Sequence, residues 1–321
     1  MKTFRGTLGS LRELLPPGPH AMTIGNFDGI HAGHQFLLNR LMKMAREKNV
    51  PSLLLTFDPH PLFFLSPDSP FRMIMSQEQK EKILSELGLD ILVVLTFDRT
   101  IQMLSPEEFA LSVLWDLFHP VSLIVGEGFR FGHGRTGSID DLSRILSPLG
   151  VAVSALSSHA DHGGRVSSSR IRKAVDHGEI AEANRLLTRP LEVSGPVAEG
   201  ERRGRHLGFP TLNLIPPDHR LLPPPGVYAT RTRICEGYYD GATYIGTKPT
   251  FGTHRPVVET HLFDFDKTCY GEWHTVLFYH RIRGERSFPS VEALKLQIAA
   301  DVAEAREILH DHPFTGSPRP L

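Results

Sequence analysis

Two histidines three residues apart, His31 and His34, stand in the string Gly25-Asn26-Phe27-Asp28-Gly29-Ile30-His31-Ala32-Gly33-His34. An apolar run precedes the string and a helical pattern follows it. A helix N-terminus carries free N–H groups and partial positive charge, both suited to phosphate. Glycines at 25, 29 and 33 let the backbone turn tightly and approach a ligand closely. Residues three apart share one side of a helical turn. Both imidazoles can therefore donate hydrogen bonds to phosphate oxygens and stabilise the charge of a pentavalent transition state. A lone HxxH would read as two unrelated surface histidines; the full string between a strand and a helix points to phosphate chemistry.

Three other segments carry compatible groups. Thr56-Phe57-Asp58-Pro59-His60-Pro61 ends the next apolar run, although His60 by itself reads as a loop residue. Gly126–Gly132 follows a later apolar run and brings Phe129 and Arg130. Ser167, Ser168, Ser169, Arg170 and Arg172 open a helix. Their hydroxyls and guanidiniums suit a triphosphate, and an ordinary N-cap with solvated charges explains them equally well. Gly132-His133-Gly134-Arg135-Thr136-Gly137 fits G-x-G-x-x-G. A dinucleotide fingerprint wants an acid about twenty residues on, at the end of the next strand. The run Val151–Leu156 ends in Ser157 and Ser158 instead. These glycines read as loop formers.

A second constellation lies downstream. There is no GxxxxGK[ST], so a further ATP reaction would not use a Walker loop. Gly200, Gly204, Arg205 and Gly208 lead through Phe209 and Pro210 into Thr211-Leu212-Asn213. In extended chain Thr211 and Asn213 share a face. Their hydroxyl and amide oxygens are hard ligands fit for Mg²⁺ beside phosphate oxygens. Thr-x-Asn alone would read as a capped turn. Glu259 stands in Glu259-Thr260-His261-Leu262-Phe263-Asp264-Phe265 and, without its neighbours, reads as an exposed strand carboxylate.

The elements that must hold these residues change character along the chain. Strands are expected at Ala21–Ile24, Ser52–Thr56, Ile91–Leu95, Leu123–Val125 and Val151–Leu156. Helices are expected at Gly33–Lys48, with Phe36, Leu37, Leu41 and Met44 as its apolar face, at Gln77–Leu87, and near Ile139–Leu146. Ser105, Pro106 and Glu108 make a capping box for another. This alternation predicts a parallel sheet with helices on both faces and ligands at its carboxyl ends. After about Arg189, short alternating runs take over: Gly226–Thr232, Tyr239–Gly246, Val258–Phe265 and Trp273–Arg281. They predict an antiparallel barrel. A helix capped by Ser290 closes it, with Val291, Leu294, Ile298, Val302 and Ile308 as its stripe. The expected division is 1–186 and 187–321.

Composition narrows the function classes. A length of 321 residues with 40% hydrophobic residues suits two domains with sizeable cores. Lys and Arg number 35 against 36 Asp and Glu, so neither a nucleic-acid stripe nor a membrane-binding charge is expected. Two cysteines, Cys235 and Cys269, without a CxxC, read as reduced thiols. No apolar run suits a signal peptide or a membrane span. A cytoplasmic protein, monomeric or weakly homo-oligomeric, is expected.

The first string resembles the HxGH signature of nucleotidyltransferases. With its Phe-Asp-Gly lead-in it resembles the adenylyltransferase half of the prokaryotic bifunctional FAD synthetases. The His60 segment is similar to that family's F-x-P-H-P, and Val166–Arg172 to its S-S-T-x-I-R loop. Gly126–Gly132 is similar to its G-x-D/N-F-R-F-G loop, with Gly128 in place of Asp or Asn. Gly204–Asn213 resembles the G-R-x-L-G-F-P-T-x-N signature of riboflavin kinase. Tyr244–Phe251 is similar to that family's N-I-G-x-R-P-T-F, with Tyr244 and Lys248 departing. Glu199 stands where many members have His. The resemblance runs from about Met22 to Ile308. It implies a Rossmann-like α/β nucleotidyltransferase domain followed by a riboflavin kinase barrel with a C-terminal helix. It also implies riboflavin, FMN, FAD and ATP as substrates or products, with Mg²⁺. Gly25, Asn26, Phe27, Asp28, Gly29, His60, Phe129, Arg130, Ser167, Ser168, Ser169 and Arg172 would bind ATP or flavin in the first domain. Gly200, Gly204, Arg205, Gly208, Phe209 and Pro210 would do so in the second. Glu259 would be the general base for the ribityl hydroxyl. Two alternatives stay open: a single-activity nucleotidyltransferase with a non-catalytic flavin-binding barrel, and a regulator that kept the fold.

Overall fold

The structure is a computed structural model describing residues 1–15, 18–157, 160–161, 164–198, 204, 207–235, 237–250, 253–265 and 271–312. The expected ligand residues Gly200 and Arg205 lie outside the described residues, as do Glu199, Phe251, Cys269 and the tail from 313. The described chain forms two compact units. One comprises Met1–Phe71 and Ser76–Val166; the other comprises Arg72–Met75 and the chain from Ser167 onward.

The first unit is built on six strands: β1 (Lys2–Gly6), β2 (His20–Ile24), β3 (Ser52–Asp58), β4 (Ile91–Thr96), β5 (Pro120–Gly126) and β6 (Ala152–Leu156). Their spatial order is β1-β4-β3-β2-β5-β6 and every pairing is parallel. Every residue of β2 is buried, as are the first five of β3 and of β4. Strands covered on both faces are the mark of a parallel sheet sandwiched by helices. The five expected strands are present. β1 is an addition: its partly exposed edge position pairs only with β4, and its charged residues hide it from an apolar count. The chain leaves β2 toward β3 and β4, then returns to β5 on the other side of β2. Such a switch point opens a ligand crevice at the carboxyl ends. The loops that begin at Gly25, Pro59 and Glu127 all rise from that end.

The Ala32–Lys48 helix packs on β2, β3 and β5. Its inner row is Gln35, Leu38, Leu41, Met42 and Ala45, whereas Phe36, expected on that face, is 45% exposed. Gln35 disguises the row in the sequence. Its buried amide is satisfied by donating to the Ile30 carbonyl at 3.0 Å. The expected box at Ser105, Pro106 and Glu108 is present, with Ser105 accepting from the Glu108 N–H at 3.2 Å. Two short strands, β7 (Ala160–Asp161) and β8 (Gly164–Arg165), pair antiparallel.

The second unit opens with helices Ser168–Asp176 and Ile180–Leu187. A closed six-stranded antiparallel barrel follows: β9 (Leu191–Ala198), β10 (Leu212–Leu214), β11 (Gly226–Ile234), β12 (Gly237–Thr250), β13 (Thr253–Leu262) and β14 (Trp273–Gly284). The order is β10-β13-β12-β11-β14-β9. β9 and β10 were not expected. β9 alternates buried and half-buried residues, but Gly195 and Pro196 break its sequence pattern. A Cβ at Gly195 would sit 2.1 Å from the Ile215 carbonyl oxygen, so the strand needs glycine where it passes that chain. Inside the barrel, the buried hydroxyls of Thr230, Thr243 and Thr260 form a chain with 2.7 and 2.8 Å links. Asn184 stitches its helix to the barrel. Its Nδ2 donates to the Phe278 carbonyl at 2.8 Å, and its Oδ1 accepts from the Leu191 N–H at 2.7 Å.

The Val291–His310 helix is capped by Ser290, whose hydroxyl accepts from the Ala293 N–H at 3.1 Å. Its buried residues are Asp301, Ala305 and Leu309. Val291, expected in the apolar stripe, is 53% exposed, because the helix meets the barrel only after its first turn. The 3% exposed Asp301 carboxylate receives three bonds from Arg283, at 2.7, 2.9 and 3.1 Å, and one from Gln297 at 2.7 Å. Asp301→Ala would strip Arg283 of its carboxylate, leaving it the Gly284 carbonyl and the Phe288 ring. A loss of roughly 2–3 kcal/mol is expected, below the range for a fully buried pair because Arg283 keeps some solvent contact. Urea unfolding followed by the barrel's near-ultraviolet signal measures it.

Candidate functional site

The Gly25–His34 loop places its histidines as the spacing predicts, with one role the spacing does not reveal. His31 is the N-cap of the Ala32–Lys48 helix: its Nδ1 accepts the His34 N–H at 3.2 Å. A ring with Nδ1 engaged as acceptor carries its proton on Nε2. In that tautomer the ring's donor is Nε2–H, the kind of group that binds an anionic oxygen. The His31 and His34 rings stack at 3.7 Å and 13°. Phe27 lies 4.7 Å from the His34 ring. A Cβ at Gly33 would press the His31 ring at 3.3 Å, so the glycine lets the first imidazole lie flat on the helix start. The turn before them is left-handed at Phe27 (φ 47°), Gly29 (φ 92°) and Ile30 (φ 38°). Phe27 and Asp28 are both buried, so they shape the loop from within and Asp28 does not present a free surface carboxylate.

His60 is also an N-cap. Its Nδ1 accepts from the Leu62 N–H at 3.2 Å, and its ring packs against Phe71 at 4.4 Å. Phe129 is half-buried and stacks on Phe131 at 5.8 Å and 12°, while Arg130 is exposed. At Gly128 a Cβ would meet the Arg165 guanidinium at 3.3 and 3.4 Å. A cation thus occupies the space where the resemblance expects an Asp or Asn side chain. Ser167 caps the first helix of the second unit, accepting from the Arg170 N–H at 3.3 Å, with Ser168 and Ser169 in that first turn. Arg170 pairs with Glu182 at 2.7 Å, and Arg172 donates from Nε to the Arg72 carbonyl at 2.9 Å. Both the capping and the phosphate-binding readings of this segment fit that arrangement.

The barrel brings the second set together. In the β10–β13 ladder, Asn213 stands directly opposite Glu259. In the β13–β12 ladder, Glu259 stands directly opposite Tyr244. Opposed residues share a sheet face, so Asn213, Glu259 and Tyr244 form one row across three strands, with Thr211 two residues before Asn213. Tyr244 donates its hydroxyl to Glu285. Burial, then the Glu285 bond and the Glu285 and Glu259 charges, push its pKa up to about 12. Tyr244 therefore remains a hydrogen-bond donor throughout the neutral range.

His261, two residues beyond Glu259 on the same face, pins the incoming segment. Its Nδ1 donates to the Pro210 carbonyl at 2.8 Å, and Phe209 meets its ring edge-on at 5.4 Å. Gly208 is left-handed, at φ 90°. The Phe209 N–H bonds to the Gly204 carbonyl at 2.8 Å. A Cβ at Gly204 would come within 2.3 Å of the Phe209 carbonyl oxygen and 3.3 Å of the Thr211 hydroxyl. Gly204→Ala must therefore shift the Phe209 carbonyl, and with it the chain that leads into Thr211. Chemistry at the barrel is expected to fall by tenfold or more, with chemistry at the histidine site retained; parallel steady-state assays compare the two.

The comparisons agree with this division. Residues 16–170 match the FAD synthetase family and residues 187–309 the riboflavin kinase family. A bifunctional riboflavin kinase/FMN adenylyltransferase of Escherichia coli (strain K12) is 35% identical over 96% of this chain and 97% of its own. A protein of the same name from Pseudomonas fluorescens is 37% identical over 89% of this chain and 92% of its own. A crystal structure described as a macrolide-efflux protein from Streptococcus pneumoniae superposes with a TM-score of 0.86 at 30% identity, covering 95% of this chain and 98% of that one. Among the described residues here no helix is long and apolar enough to cross a membrane. With near-complete coverage by relatives above 30% identity, the chain belongs to the bifunctional riboflavin kinase/FMN adenylyltransferase family.

Proposed function

We propose that this enzyme makes FAD in two ATP-dependent steps, phosphorylating riboflavin on its barrel and adenylylating the resulting FMN at the histidine loop. In the first step the ribityl hydroxyl oxygen attacks the γ-phosphorus of ATP. Glu259 takes the hydroxyl proton, the new P–O bond forms, and ADP leaves. An alcohol needs such a base, and the register of Asn213 with Glu259 is the observation that carries the reading. In the second step an FMN phosphate oxygen attacks the α-phosphorus of ATP and pyrophosphate leaves. That nucleophile is already anionic, so catalysis rests on positioning and charge neutralisation by His31 and His34. Phe27, Asp28, His60, Phe129 and Arg130 line or shape this first site.

Thr211 and Asn213 would hold Mg²⁺. Their two neutral oxygens on one face fit a cation completed by phosphate and water oxygens, a common way for Mg²⁺ to bind. Once bound it would neutralise the phosphates of ATP. The functional division is 1–186 for adenylyl transfer and 187–321 for the kinase. The enzyme works in the cytoplasm, where ATP is found, as a monomer or weak homo-oligomer without a nucleic-acid partner. Incubating the full chain with riboflavin and ATP, and separately with FMN and ATP, tests the proposal. FMN then FAD is expected from the first mixture and FAD from the second. FAD from FMN without FMN from riboflavin would reduce the barrel to a binding module.

A further inference from the structure

Lys80 has no part in the mechanism above, yet it is among the most deeply buried side chains in the protein, at 2% exposure. It lies on the Gln77–Glu86 helix and donates from Nζ to the Asn26 carbonyl oxygen at 2.9 Å. The buried hydroxyl of Thr56 donates to the same oxygen at 3.2 Å. Burial of the Lys80 ammonium pushes its pKa down; the carboxylates of Asp28, Asp58 and Glu81 oppose that shift. Taking a charge out of water is costly and needs a compensating arrangement. A methionine or leucine would fill the volume without that cost.

What the ammonium holds is the entrance to the histidine loop. Immediately after Asn26, three of four residues, Phe27, Gly29 and Ile30, take left-handed backbone angles. Two of them carry side chains that disfavour such angles. Conformations of this kind persist only where the surroundings over-determine them. Gln35 fixes the far end by donating to the Ile30 carbonyl, and Lys80 with Thr56 fixes the near end. Between these anchors Phe27 packs its ring on His34, which stacks on His31. We propose that Lys80 is a positioning residue for adenylyl transfer: it clamps the Asn26 carbonyl and so fixes the turn that delivers His31 and His34 to the reacting phosphates. Lys80 acts through the backbone of the loop, and the inference rests on the assignment of adenylyl transfer to this site.

The test compares full-length wild type, Lys80→Met and Thr56→Val, measuring kcat and KM for FAD formation from FMN and ATP, FMN formation from riboflavin, and thermal unfolding. In Lys80→Met the adenylyl-transfer kcat is expected to fall on the order of 10²-fold, the loss typical of a displacement of about 1 Å. KM for ATP should shift by less than about threefold, since a positioning defect acts mainly on the transition state. The kinase activity should be unchanged. Thr56→Val removes the weaker donor to the same carbonyl and should lower kcat in the same direction, by less. A lower melting temperature with wild-type kcat per folded molecule in Lys80→Met overturns the inference. If Lys80→Met does not fold, wild-type kcat in Thr56→Val overturns it. Wild type that makes no FAD from FMN and ATP would instead strike the assignment of the site itself.

Discussion

Glu259→Gln is expected to cut FMN formation from riboflavin by about 10²- to 10⁴-fold, the usual contribution of a general base. FAD formation from supplied FMN should stay at the wild-type rate. The amide keeps the shape of the carboxylate and its place between Asn213 and Tyr244, so the change isolates proton acceptance. Tyr244 cannot substitute as the base, because its hydroxyl is held protonated with a pKa pushed up to about 12 and is already committed to Glu285. The effect should fall on kcat, with KM for riboflavin little changed, because the proton moves only as the new P–O bond forms. Product separation after riboflavin-only and FMN-only incubations reads both activities. An unchanged riboflavin phosphorylation rate would remove Glu259 from the mechanism.

His34→Ala should show the opposite selectivity: a loss of about 10²- to 10³-fold in FAD formation, as for removal of one preorganised donor to a transition-state oxygen, with FMN formation intact. His31→Ala should be at least as damaging for two separable reasons. It removes a donor and also uncaps the Ala32–Lys48 helix, which costs about 1 kcal/mol. His31→Asn separates the two, because asparagine caps well but cannot present an Nε2–H in the same place. It should therefore restore stability and leave FAD formation low. Equal loss of both activities in His34→Ala would mean that the two sites do not work independently.

Most of the architecture is legible because strands and helices alternate regularly in the first unit and short strands follow one another in the barrel. Ile91–Leu95 is uniformly apolar and buried on both faces. The short runs of the barrel are bounded by turn residues, although β11 is buried along most of its length and β14 over His274–Phe278, so that neither alternates. The exceptions have local causes. β1 reads as charged because it lies at an edge. β9 contains Gly195 and Pro196 where another chain segment passes. The inner row of the Ala32–Lys48 helix is disguised by Gln35, which is buried for a hydrogen bond. At the site, residue types and spacing point to His31, His34, Asn213 and Glu259. Positioning roles are harder to see, because they depend on partners distant in the chain. His261 serves Pro210 from the neighbouring strand, 51 residues along the chain. Lys80 serves Asn26 from a helix 54 residues away, and nothing in the local pattern separates it from the surface lysine Lys82 two positions on.

The stitch made by Asn184 has an implication for how such a fused enzyme can be cut or recombined. Chain that matches the kinase family begins at 187, but the bonds from Asn184 to Phe278 and Leu191 anchor the preceding helix to the barrel. A fragment started at the homology border would begin life with an unfinished wall and with two backbone groups stripped of their partner. Starting the fragment some twenty codons upstream, ahead of Ser167, would keep that wall but would still omit Arg72–Met75, which belong to the same compact unit, and would take Ser167–Arg172 from the first domain.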